Sequence, residues 1–450
     1  MSVFKAYDIR GVWDQDWNRD TVYAIGRWLP SLLGAKRFLV GRDIRLSSGV
    51  VRDALIQGLS ESGANVDDIG LSTTPMVYFF TARDHYDASV QITASHNPAE
   101  YNGLKISRAA AVPVGYDSGL DELEKRVVSG ELPQVPVTPG IVRRLERTKI
   151  FSDWLMFQKQ NLEGLSFAVD CSDGMAGLFI HNLFGSQPVY LNDTPDGRFP
   201  HHAPNPLEVG NCRQLAETVR AQKLDLGVIF DGDADRVMFI DETGTFVQPD
   251  YLIPLIVSEL PDARKDDIVI HDIRTSKGVS EILSERGFRP YIWKVGHAFA
   301  KRKLKELNAI FGGELAGHYY FRDFFNCDSG ELAALKVLSA VAKAKRNGIR
   351  FSELISPVMR YANSGELNYT IDRKNEAIDA VVSTLLVKYG TPEKQYDFDG
   401  IRMEWVDFWF SLRKSNTEPY LRLILEAKTN ERLTSIRGEI ELILKDFIHV

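Results

Sequence analysis

The amino-acid sequence predicts an α/β fold of three related α/β domains with mixed sheets, followed by a smaller C-terminal α+β domain. The chain has 450 residues, too many for one ordinary domain and enough for roughly three or four. Through the first three-quarters, short apolar runs alternate with amphipathic helical stretches, which is typical of mixed or parallel sheets covered by helices. The last quarter is richer in strand-like runs and predicts an antiparallel sheet.

In chain order, each strand of the α/β part is predicted from a short apolar run, and each helix from apolar residues at helical spacing. The predicted strands are Phe38–Val40, Ala88–Thr93, Phe167–Val169, Leu226–Phe230, Val237–Ile240 and Ile268–Ile270. The predicted helices are Ser47–Ser62, Met175–Phe184 and Ser276–Arg286. Ser276 suits the start of its helix, because its hydroxyl can accept a hydrogen bond from an unpaired backbone N–H group.

The C-terminal quarter combines four predicted strands with two predicted helices. The strands are Asn363–Thr370, Phe398–Glu404, Phe408–Leu412 and Tyr420–Glu426, and the helices are Glu376–Lys388 and Leu433–Phe447. This arrangement predicts the small α+β domain at the end of the chain.

Three similar loops indicate internal repetition of the α/β part. Each carries Asp and follows a predicted strand, at Gly41–Asp43, Asp170–Asp173 and His271–Arg274. Their spacing of roughly 100–130 residues fits the size of a domain. Candidate boundaries lie in Gly130–Gly140, near Phe246–Asp250 and near Gly348–Pro357. The predicted domains are therefore residues 1–140, 141–247, 248–355 and 356–450.

Composition excludes several classes of protein. The net charge of −7 argues against a general nucleic-acid or membrane-surface role, although local charge could still bind an anionic substrate. The three cysteines, Cys171, Cys212 and Cys327, are too far apart for a disulfide framework or a cysteine zinc site. No apolar run approaches the ~18 residues that span a bilayer, and the N-terminus has no apolar signal core. We expect a cytoplasmic protein.

The segment Thr93–Pro98 is the first candidate for chemistry. A predicted strand ends here in a polar turn, which would hold the hydroxyl of Ser95 at the edge of a sheet. Pro98 cannot continue the strand, because it lacks a backbone donor. The alternative is a plain Asn-Pro turn. Ser95 lacks the Gly-x-Ser-x-Gly elbow of hydrolases, and His96 is too close in sequence to act as its base.

The second candidate is the acidic loop Asp231–Arg236. Its three carboxylates, on Asp231, Asp233 and Asp235, repel one another, so that a bound cation would relieve an electrostatic cost. Oxygen ligands favour Mg²⁺ over Zn²⁺. A solvated acidic turn is the alternative. An EF-hand is excluded because Arg236 takes the position of its glycine and because the flanking segments are predicted strands.

Two further loops could bind a sugar phosphate. In Gly312–His318, three glycines allow close approach to a ligand, and Glu314 could accept two vicinal hydroxyls. In Arg413–Pro419, two cations, two hydroxyls and an amide could surround a phosphate. An ordinary turn and a solvated hairpin loop are the respective alternatives. Three shorter segments indicate a function only in combination with these loops. They are Tyr7–Gly11, Asn102–Lys105 and Trp293–His297.

Taken in order from Tyr7 to Arg422, these segments resemble the α-D-phosphohexomutase family, and within it the bacterial phosphomannomutases and the dual phosphomannomutase/phosphoglucomutases. Four distinctive loops in the same order are hard to obtain by chance. The resemblance implies three related α/β domains and a smaller C-terminal domain around a central cleft, to which each domain contributes one loop.

The resemblance also implies roles for individual residues. Ser95 matches the phosphoserine, and its phosphate would complete a Mg²⁺ site with Asp231, Asp233 and Asp235. The remaining matches form two sets. One set neutralises charge or exchanges protons around the transferring phosphoryl group, and the other binds the substrate. The first set is Arg10, Lys105, Arg236 and His318, and the second is Tyr7, Lys294, His297, Glu314, Ala316, His318, Arg413, Ser415, Asn416 and Thr417.

Within these matches, Ala316 is a departure, because the family usually has Ser there, two residues after the sugar-loop Glu. The missing hydroxyl leaves the preferred hexose open.

The implied reaction interconverts hexose 6-phosphate and hexose 1-phosphate through a 1,6-bisphosphate, which would also act as an activator. Mannose is the expected sugar, and glucose or dual specificity is the alternative. Lys105 is the first candidate acid/base, since neighbouring cations can lower the pKa of a lysine, and His318 is the second. A metal-dependent sugar phosphatase and a non-catalytic sugar-phosphate-binding protein are less favoured. Hexose phosphates are the expected partners, with no nucleic acid or membrane.

Overall fold

The computed structural model describes residues 2–134, 138–415 and 420–448. The chain forms two compact units. The first contains Met1–Ala263 and Gly296–Leu354, and the second contains Arg264–Val295 and Ile355–Val450. Over the described ranges, each helix is too short or too polar to cross a membrane.

The first sheet lies at the start of the first unit. Its strands are β1 (Ile9–Val12), β2 (Arg37–Arg42), β3 (Asn65–Leu71), β4 (Ala88–Ile92), β5 (Tyr101–Arg108), β6 (Val112–Pro113) and β7 (Val142–Arg144). Its helices are α1 (Arg19–Leu33), α2 (Ser48–Glu61), α3 (Thr74–Arg83) and α4 (Leu120–Val128). The strand order is β1-β5-β4-β2-β3-β7, with β6 beside β5.

This sheet is mixed. Strand β4 runs parallel to β2 and antiparallel to β5. The carboxyl ends of β2 and β4 therefore meet the start of β5 at one edge of the sheet. The loop that contains Ser95 begins at that edge.

The second sheet has the order β12-β11-β10-β8-β9. Its strands are β8 (Phe167–Asp170), β9 (Val189–Leu191), β10 (Leu226–Phe230), β11 (Val237–Asp241) and β12 (Phe246–Val247), accompanied by helices α5 (Thr148–Gln158), α6 (Ile180–Phe184), α7 (Arg213–Gln222) and α8 (Ile253–Ser258). Strands β10 and β11 form an antiparallel hairpin that pairs Phe230 with Val237. The acidic loop connects these two strands.

One predicted helix in this region is interrupted. The stretch predicted as a helix over Met175–Phe184 is a 3₁₀ turn over Met175–Leu178 followed by α6. Gly177 lies so close to the backbone of Asp193 that a Cβ atom there would be 2.2 Å from its carbonyl oxygen. Phe179 between the two pieces has a φ of −122°, outside the α-helical range.

The second unit begins with β13 (Ile268–Asp272), α9 (Lys277–Glu285) and β14 (Arg289–Trp293), and its two strands are parallel. Ser276 caps α9 as predicted, because its side chain accepts a hydrogen bond from the backbone of Gly278. The chain then returns to the first unit. The elements that follow are α10 (His297–Leu307), β15 (Phe311–Gly313), β16 (Tyr319–Phe321), β17 (Cys327–Asp328), α11 (Gly330–Arg346) and α12 (Phe351–Ile355).

The C-terminal part of the second unit is an antiparallel sheet with two helices. Its strands are β18 (Ala362–Thr370), β19 (Lys394–Tyr396), β20 (Ile401–Glu404), β21 (Phe408–Lys414) and β22 (Tyr420–Ala427), in the order β18-β22-β21-β20-β19, and its helices are α13 (Lys374–Tyr389) and α14 (Asn430–Leu444). Strand β20 begins later than predicted, because Gly400 turns the chain with a φ of 76°. The predicted class, mixed α/β sheets followed by a C-terminal antiparallel sheet, is confirmed.

Helices α1 and α2 pack backbone to backbone at a pair of glycines, Gly26 and Gly58. A Cβ atom on Gly58 would lie 2.4 Å from the carbonyl oxygen of Tyr23, and one on Gly26 would lie 2.6 Å from that of Leu55. Gly49, on the same helix α2, faces open space. The contact between the two helices therefore depends on the absence of side chains at Gly26 and Gly58.

We expect Gly58→Ala and Gly49→Ala to change stability in opposite directions. Gly58→Ala should lower the free energy of unfolding by about 1–3 kcal/mol, since two packed helices must separate. Gly49→Ala should raise it by up to about 1 kcal/mol, because alanine favours helix. Urea unfolding of both variants measures the difference. An unchanged or raised stability of Gly58→Ala would contradict the close packing.

Candidate active site

Ser95 lies where the first and second sheets of the first unit meet. Its Oγ donates a hydrogen bond to Oδ2 of Asp231 at 2.8 Å, and both residues are buried. Ser95 has a φ of 51°, in the left-handed region that a residue with a side chain rarely adopts. Its N–H group donates to Oγ1 of Thr93 at 2.8 Å. The predicted turn thus holds the Ser95 hydroxyl against the acidic loop.

The backbone of the acidic loop is held from three sides. The carbonyl oxygens of Gly232, Asp233 and Ala234 accept hydrogen bonds at 2.9–3.1 Å, from the N–H groups of Met175, Thr74 and Gly330 respectively. These donors come from three separate segments of the first unit. The loop is therefore fixed by its neighbours and does not extend into solvent as an acidic turn would.

Three buried carboxylates converge in this loop. One oxygen each from Asp231, Asp233 and Asp235 lies within 4.8 Å of the others. Burial and the charges of Asp235 and Asp233 raise the pKa of Asp231 well above its ordinary value. In the part of the chain that the structure describes, the Oδ1 atoms of Asp233 and Asp235 have no hydrogen-bond partner. Buried carboxylate oxygens without partners fit a hard divalent cation such as Mg²⁺.

Lys105, on strand β5, is held by the same carboxylates. Its Nζ lies 2.9 Å from Oδ2 of Asp233 and also forms an ion pair with Asp235. Burial lowers the pKa of Lys105, but the charges of Asp233 and Asp235 raise it above its ordinary value. The expectation that neighbouring cations lower this pKa was wrong, because the nearest charged groups are carboxylates. Lys105 is a fixed positive charge here.

Arg10, on strand β1, contacts the Ser95 loop from another side. Its guanidinium donates to Oδ1 of Asn97 at 2.7 Å and forms an ion pair with Asp8. Burial lowers the pKa of Arg10, whereas Asp8 raises it, and the net shift is upward. A charged guanidinium therefore lies beside the loop that carries Ser95.

Arg236 and His318 belong to a chain of polar contacts. Nε of Arg236 donates to Nε2 of His318 at 2.9 Å, and Nδ1 of His318 lies 2.7 Å from Oδ2 of Asp328. Lys301 forms an ion pair with Asp328 at 2.7 Å. Because arginine can only donate, Nε2 of His318 is the acceptor, and the proton of the neutral ring lies on Nδ1. Burial raises and Lys301 lowers the pKa of Asp328, and the net shift is well below its ordinary value.

Sequence reasoning missed Asp328 and Lys301. A signal for Lys301 was available, because it lies four residues after His297 and therefore on the same face of helix α10. Asp328 had a weaker signal, as an acidic residue directly before Ser329, which caps helix α11.

The residues of the Gly312–His318 loop lie next to this chain of contacts. Oε1 of Glu314 accepts hydrogen bonds from the N–H of Gly296 at 3.2 Å and from the hydroxyl of Tyr320 at 2.9 Å. Ala316, half-buried, lies in the turn from Glu314 to His318 that joins β15 to β16. One carboxylate oxygen of Glu314 thus already accepts two hydrogen bonds from the protein itself.

Tyr7 and His297 pack on this region through their rings. The ring of His297 lies 5.8 Å from that of Tyr7 and 6.2 Å from that of His318. Gly296 has a φ of 121°, and a Cβ atom there would lie 2.6 Å from the Tyr7 ring. Burial and the charge of Lys301 hold the pKa of His297 well below its ordinary value. A neutral imidazole therefore lies beside His318.

The remaining predicted residues belong to the second unit. Nε of Arg413 donates to Oδ1 of Asp399 at 2.9 Å, and the N–H of Val295 donates to Oδ2 of the same carboxylate at 2.8 Å. Asp399, which sequence reasoning missed, thereby joins the strand of Arg413 to the segment that contains Lys294. Oγ of Ser415 accepts a hydrogen bond from Arg422 at 3.4 Å. Asn416 and Thr417 lie outside the described residues.

Family models match four successive parts of the chain. Three are phosphoglucomutase/phosphomannomutase alpha/beta/alpha domains: domain I matches residues 1–132, domain II residues 148–244 and domain III residues 248–361. The fourth, the C-terminal domain of the same family, matches residues 366–443.

Relatives match over almost the whole chain. A phosphomannomutase of Escherichia coli is 34% identical over 98% of both chains, and phosphohexose mutases of Xanthomonas campestris pv. campestris are 35% identical over 98% of both. A solved phosphoglucomutase/phosphomannomutase family protein from Burkholderia thailandensis superposes with a TM-score of 0.89 at 28% identity, covering 99% of this chain and 97% of that one. The loops described above, together with these matches, make the chain a member of the phosphoglucomutase/phosphomannomutase family.

Proposed function

We propose that this protein is a phosphohexomutase that interconverts hexose 6-phosphate and hexose 1-phosphate through phospho-Ser95, with mannose as the preferred sugar. The contact of the Ser95 hydroxyl with Asp231, beside three converging carboxylates, carries the proposal. Phosphoryl transfer requires positioning and charge neutralisation at the reacting oxygens, and this arrangement supports both. The names of the phosphomannomutase relatives support the choice of mannose.

Asp231, Asp233 and Asp235 would hold one Mg²⁺ ion. The buried Oδ1 atoms of Asp233 and Asp235, which accept no hydrogen bond from any residue that the structure describes, support this assignment. When bound, the ion would withdraw charge from the serine oxygen.

The reaction would consist of two successive phosphoryl transfers, one from Ser95 to the sugar phosphate and one back to Ser95. In the first transfer, the bond between phosphorus and Oγ of Ser95 breaks while a bond forms from the free hydroxyl oxygen of the sugar phosphate to phosphorus. The hydroxyl proton passes to a base, and Ser95 regains a proton. The 1,6-bisphosphate then reorients, and its other phosphoryl group returns to Ser95. Added hexose 1,6-bisphosphate would activate the enzyme by phosphorylating Ser95 directly.

The acid/base role falls to His318 in this proposal. Its Nε2 carries a lone pair, which Arg236 contacts, while Asp328 holds the proton on Nδ1. Lys105 is paired with two carboxylates and supplies positive charge. Arg10 would add positive charge beside the Ser95 loop.

The substrate would be recognised by two groups of residues. Tyr7, Lys294, His297 and Glu314 are assigned to the sugar and its nearby phosphate. The Arg413 loop, including Ser415, is assigned to the phosphate that does not react. Ala316 in place of the usual serine leaves the preferred hexose open, and glucose phosphate is the second candidate substrate. The domain division at residues 140, 247 and 355 belongs to the same proposal.

Ser95→Ala should abolish turnover without unfolding the protein. We expect kcat to fall by about 10³-fold or more, because no oxygen remains to carry the phosphoryl group. Intact mass after incubation with glucose 1,6-bisphosphate should show one added phosphate on the parent and none on the variant. Ser31→Ala, on the exposed face of α1, is the control. Turnover of Ser95→Ala within a few-fold of the parent would refute the assignment.

Replacing Asp231, Asp233 or Asp235 by Asn should weaken Mg²⁺ binding. Each change removes one negative charge, so the Mg²⁺ concentration for half-maximal activity should rise by at least about 10-fold. Titration of activity with Mg²⁺ measures this, and the exposed Asp153→Asn is the control. Full activity of the parent protein in excess chelator would exclude the metal from the reaction.

Arg413→Ala and Ala316→Ser should separate the two halves of substrate recognition. Arg413→Ala should raise KM for mannose and glucose phosphates alike, with a loss of about 10- to 150-fold in kcat/KM from a missing charge-assisted hydrogen bond. Ala316→Ser should mainly change the ratio between the two sugars, since one neutral hydroxyl contributes about 1 kcal/mol.

Steady-state kinetics on both sugars decide this prediction. Arg437→Ala is the control, because Arg437 is an exposed arginine on α14 that pairs with Glu441 outside the loop. A changed sugar preference in Arg413→Ala, with none in Ala316→Ser, would mean that the two loops are assigned the wrong way round.

A further inference from the structure

Arg45 is a buried arginine behind the Ser95 loop that the proposed reaction does not use. Its side chain has no exposed surface. It lies just beyond the carboxyl end of β2, and β4, which leads into the Ser95 loop, is the neighbouring parallel strand. The sheet therefore brings these two loops together although 50 residues separate them in sequence.

All five N–H donors of the Arg45 guanidinium have acceptors. Four of these acceptors are backbone carbonyl oxygens of one loop: Ser95 at 2.9 Å, Asn97 at 2.6 Å, Pro98 at 2.5 Å and Tyr101 at 3.1 Å. The fifth donor, Nε, lies 3.1 Å from Oδ2 of Asp43. One side chain thus donates to three carbonyls of the loop that precedes β5 and to that of Tyr101, the first residue of β5.

Arg45 is itself held in place. Asp43 accepts hydrogen bonds from the backbone N–H of Arg45 at 3.0 Å and from the hydroxyl of Ser48. The ring of Phe199 lies 5.0 Å from the guanidinium carbon, and Arg45 forms a β-bridge with Gly197. The guanidinium is therefore enclosed between the Ser95 loop, Asp43 and a loop of the second sheet's domain.

The Ser95 loop needs such support. A left-handed backbone is energetically costly for a residue with a side chain, such as Ser95, and persists only where the surroundings enforce it. Arg45 bonds to the carbonyl of Ser95 itself and to three carbonyls that follow. Its contacts therefore fix the peptide that directs Oγ of Ser95 toward Asp231, at 2.8 Å.

We propose that Arg45, anchored by Asp43, is a positioning residue that holds the Ser95 loop in the backbone conformation required for phosphoryl transfer. This inference rests on the proposed function. Arg45 acts through the backbone of the loop and has no role in binding the sugar. Its loss should therefore slow the transfer of the phosphoryl group and leave substrate affinity nearly unchanged.

The test compares Arg45→Lys with the parent protein. Lysine keeps the charge but has one ammonium group, which cannot reach four carbonyls. We expect kcat to fall about 10- to 100-fold, as for a misplaced reacting group, with KM for mannose 1-phosphate within about threefold of the parent value. The rate at which glucose 1,6-bisphosphate phosphorylates Ser95, followed by intact mass, should fall by a similar factor.

The matched control is Arg52→Lys, because Arg52 forms ion pairs with Asp53 and Asp68 on the same domain. It should leave both rates unchanged. Thermal unfolding of every variant separates positioning from stability. A lower melting temperature with kcat and the phosphorylation rate within about twofold of the parent would overturn the proposal, as would a loss confined to KM.

A second variant covers the case in which Arg45→Lys does not fold. Asp43→Asn keeps every donor of Arg45 and weakens its anchor, so the same two rates should fall by a smaller factor. Unchanged rates in folded Asp43→Asn would overturn the proposal. If the parent phosphorylates Ser95 but isomerises no hexose phosphate, the proposed mutase function fails, and the phosphorylation rates still decide the role of Arg45.

Discussion

The repulsion among three buried carboxylates in the acidic loop is the constraint on which the site of the first unit depends. Asp231, Asp233 and Asp235 are almost fully buried, where like charges at short range are costly. The backbone of their loop is nevertheless held by three separate segments, so the loop is not free to open into solvent. Stability in this region therefore requires compensating positive charge, and the neighbouring loops supply it.

That compensation is distributed over several polar contacts. Lys105 faces two of the carboxylates directly. Arg236 leads to His318, then to Asp328, and finally to Lys301 on α10. Each buried charged group in these contacts thus has a polar or oppositely charged neighbour. A buried charge that lost its partner would strongly destabilise the folded protein. The same arrangement that stabilises the acidic loop also sets the orientation of the Ser95 hydroxyl and the tautomer of His318.

Local signals in the sequence predicted much of this structure. Ser95 and the acidic loop were found because each follows a strong strand signal, and strand ends place side chains at a sheet edge. The pKa shifts of the ionisable groups in the site could not be predicted from such local signals. Lys105 lies 128 and 130 residues from the carboxylates that raise its pKa. Arg45 and Asp399 were missed for a similar reason, because the backbone groups of Ser95 and Val295 that they respectively contact lie 50 and 104 residues away and become neighbours only in the folded chain.

The path of the chain between the two units bears on how the protein folds during synthesis. The chain leaves the first unit at Ala263 and re-enters it at Gly296. Ser95, Lys105 and the acidic loop are therefore made well before Lys301, His318 and Asp328. Domains fold as units, with N-terminal parts first as the ribosome proceeds. A nascent chain that ends before Gly296 lacks Gly330, whose N–H group donates to the carbonyl oxygen of Ala234, so the acidic loop should reach its final form only after residue 330 has emerged.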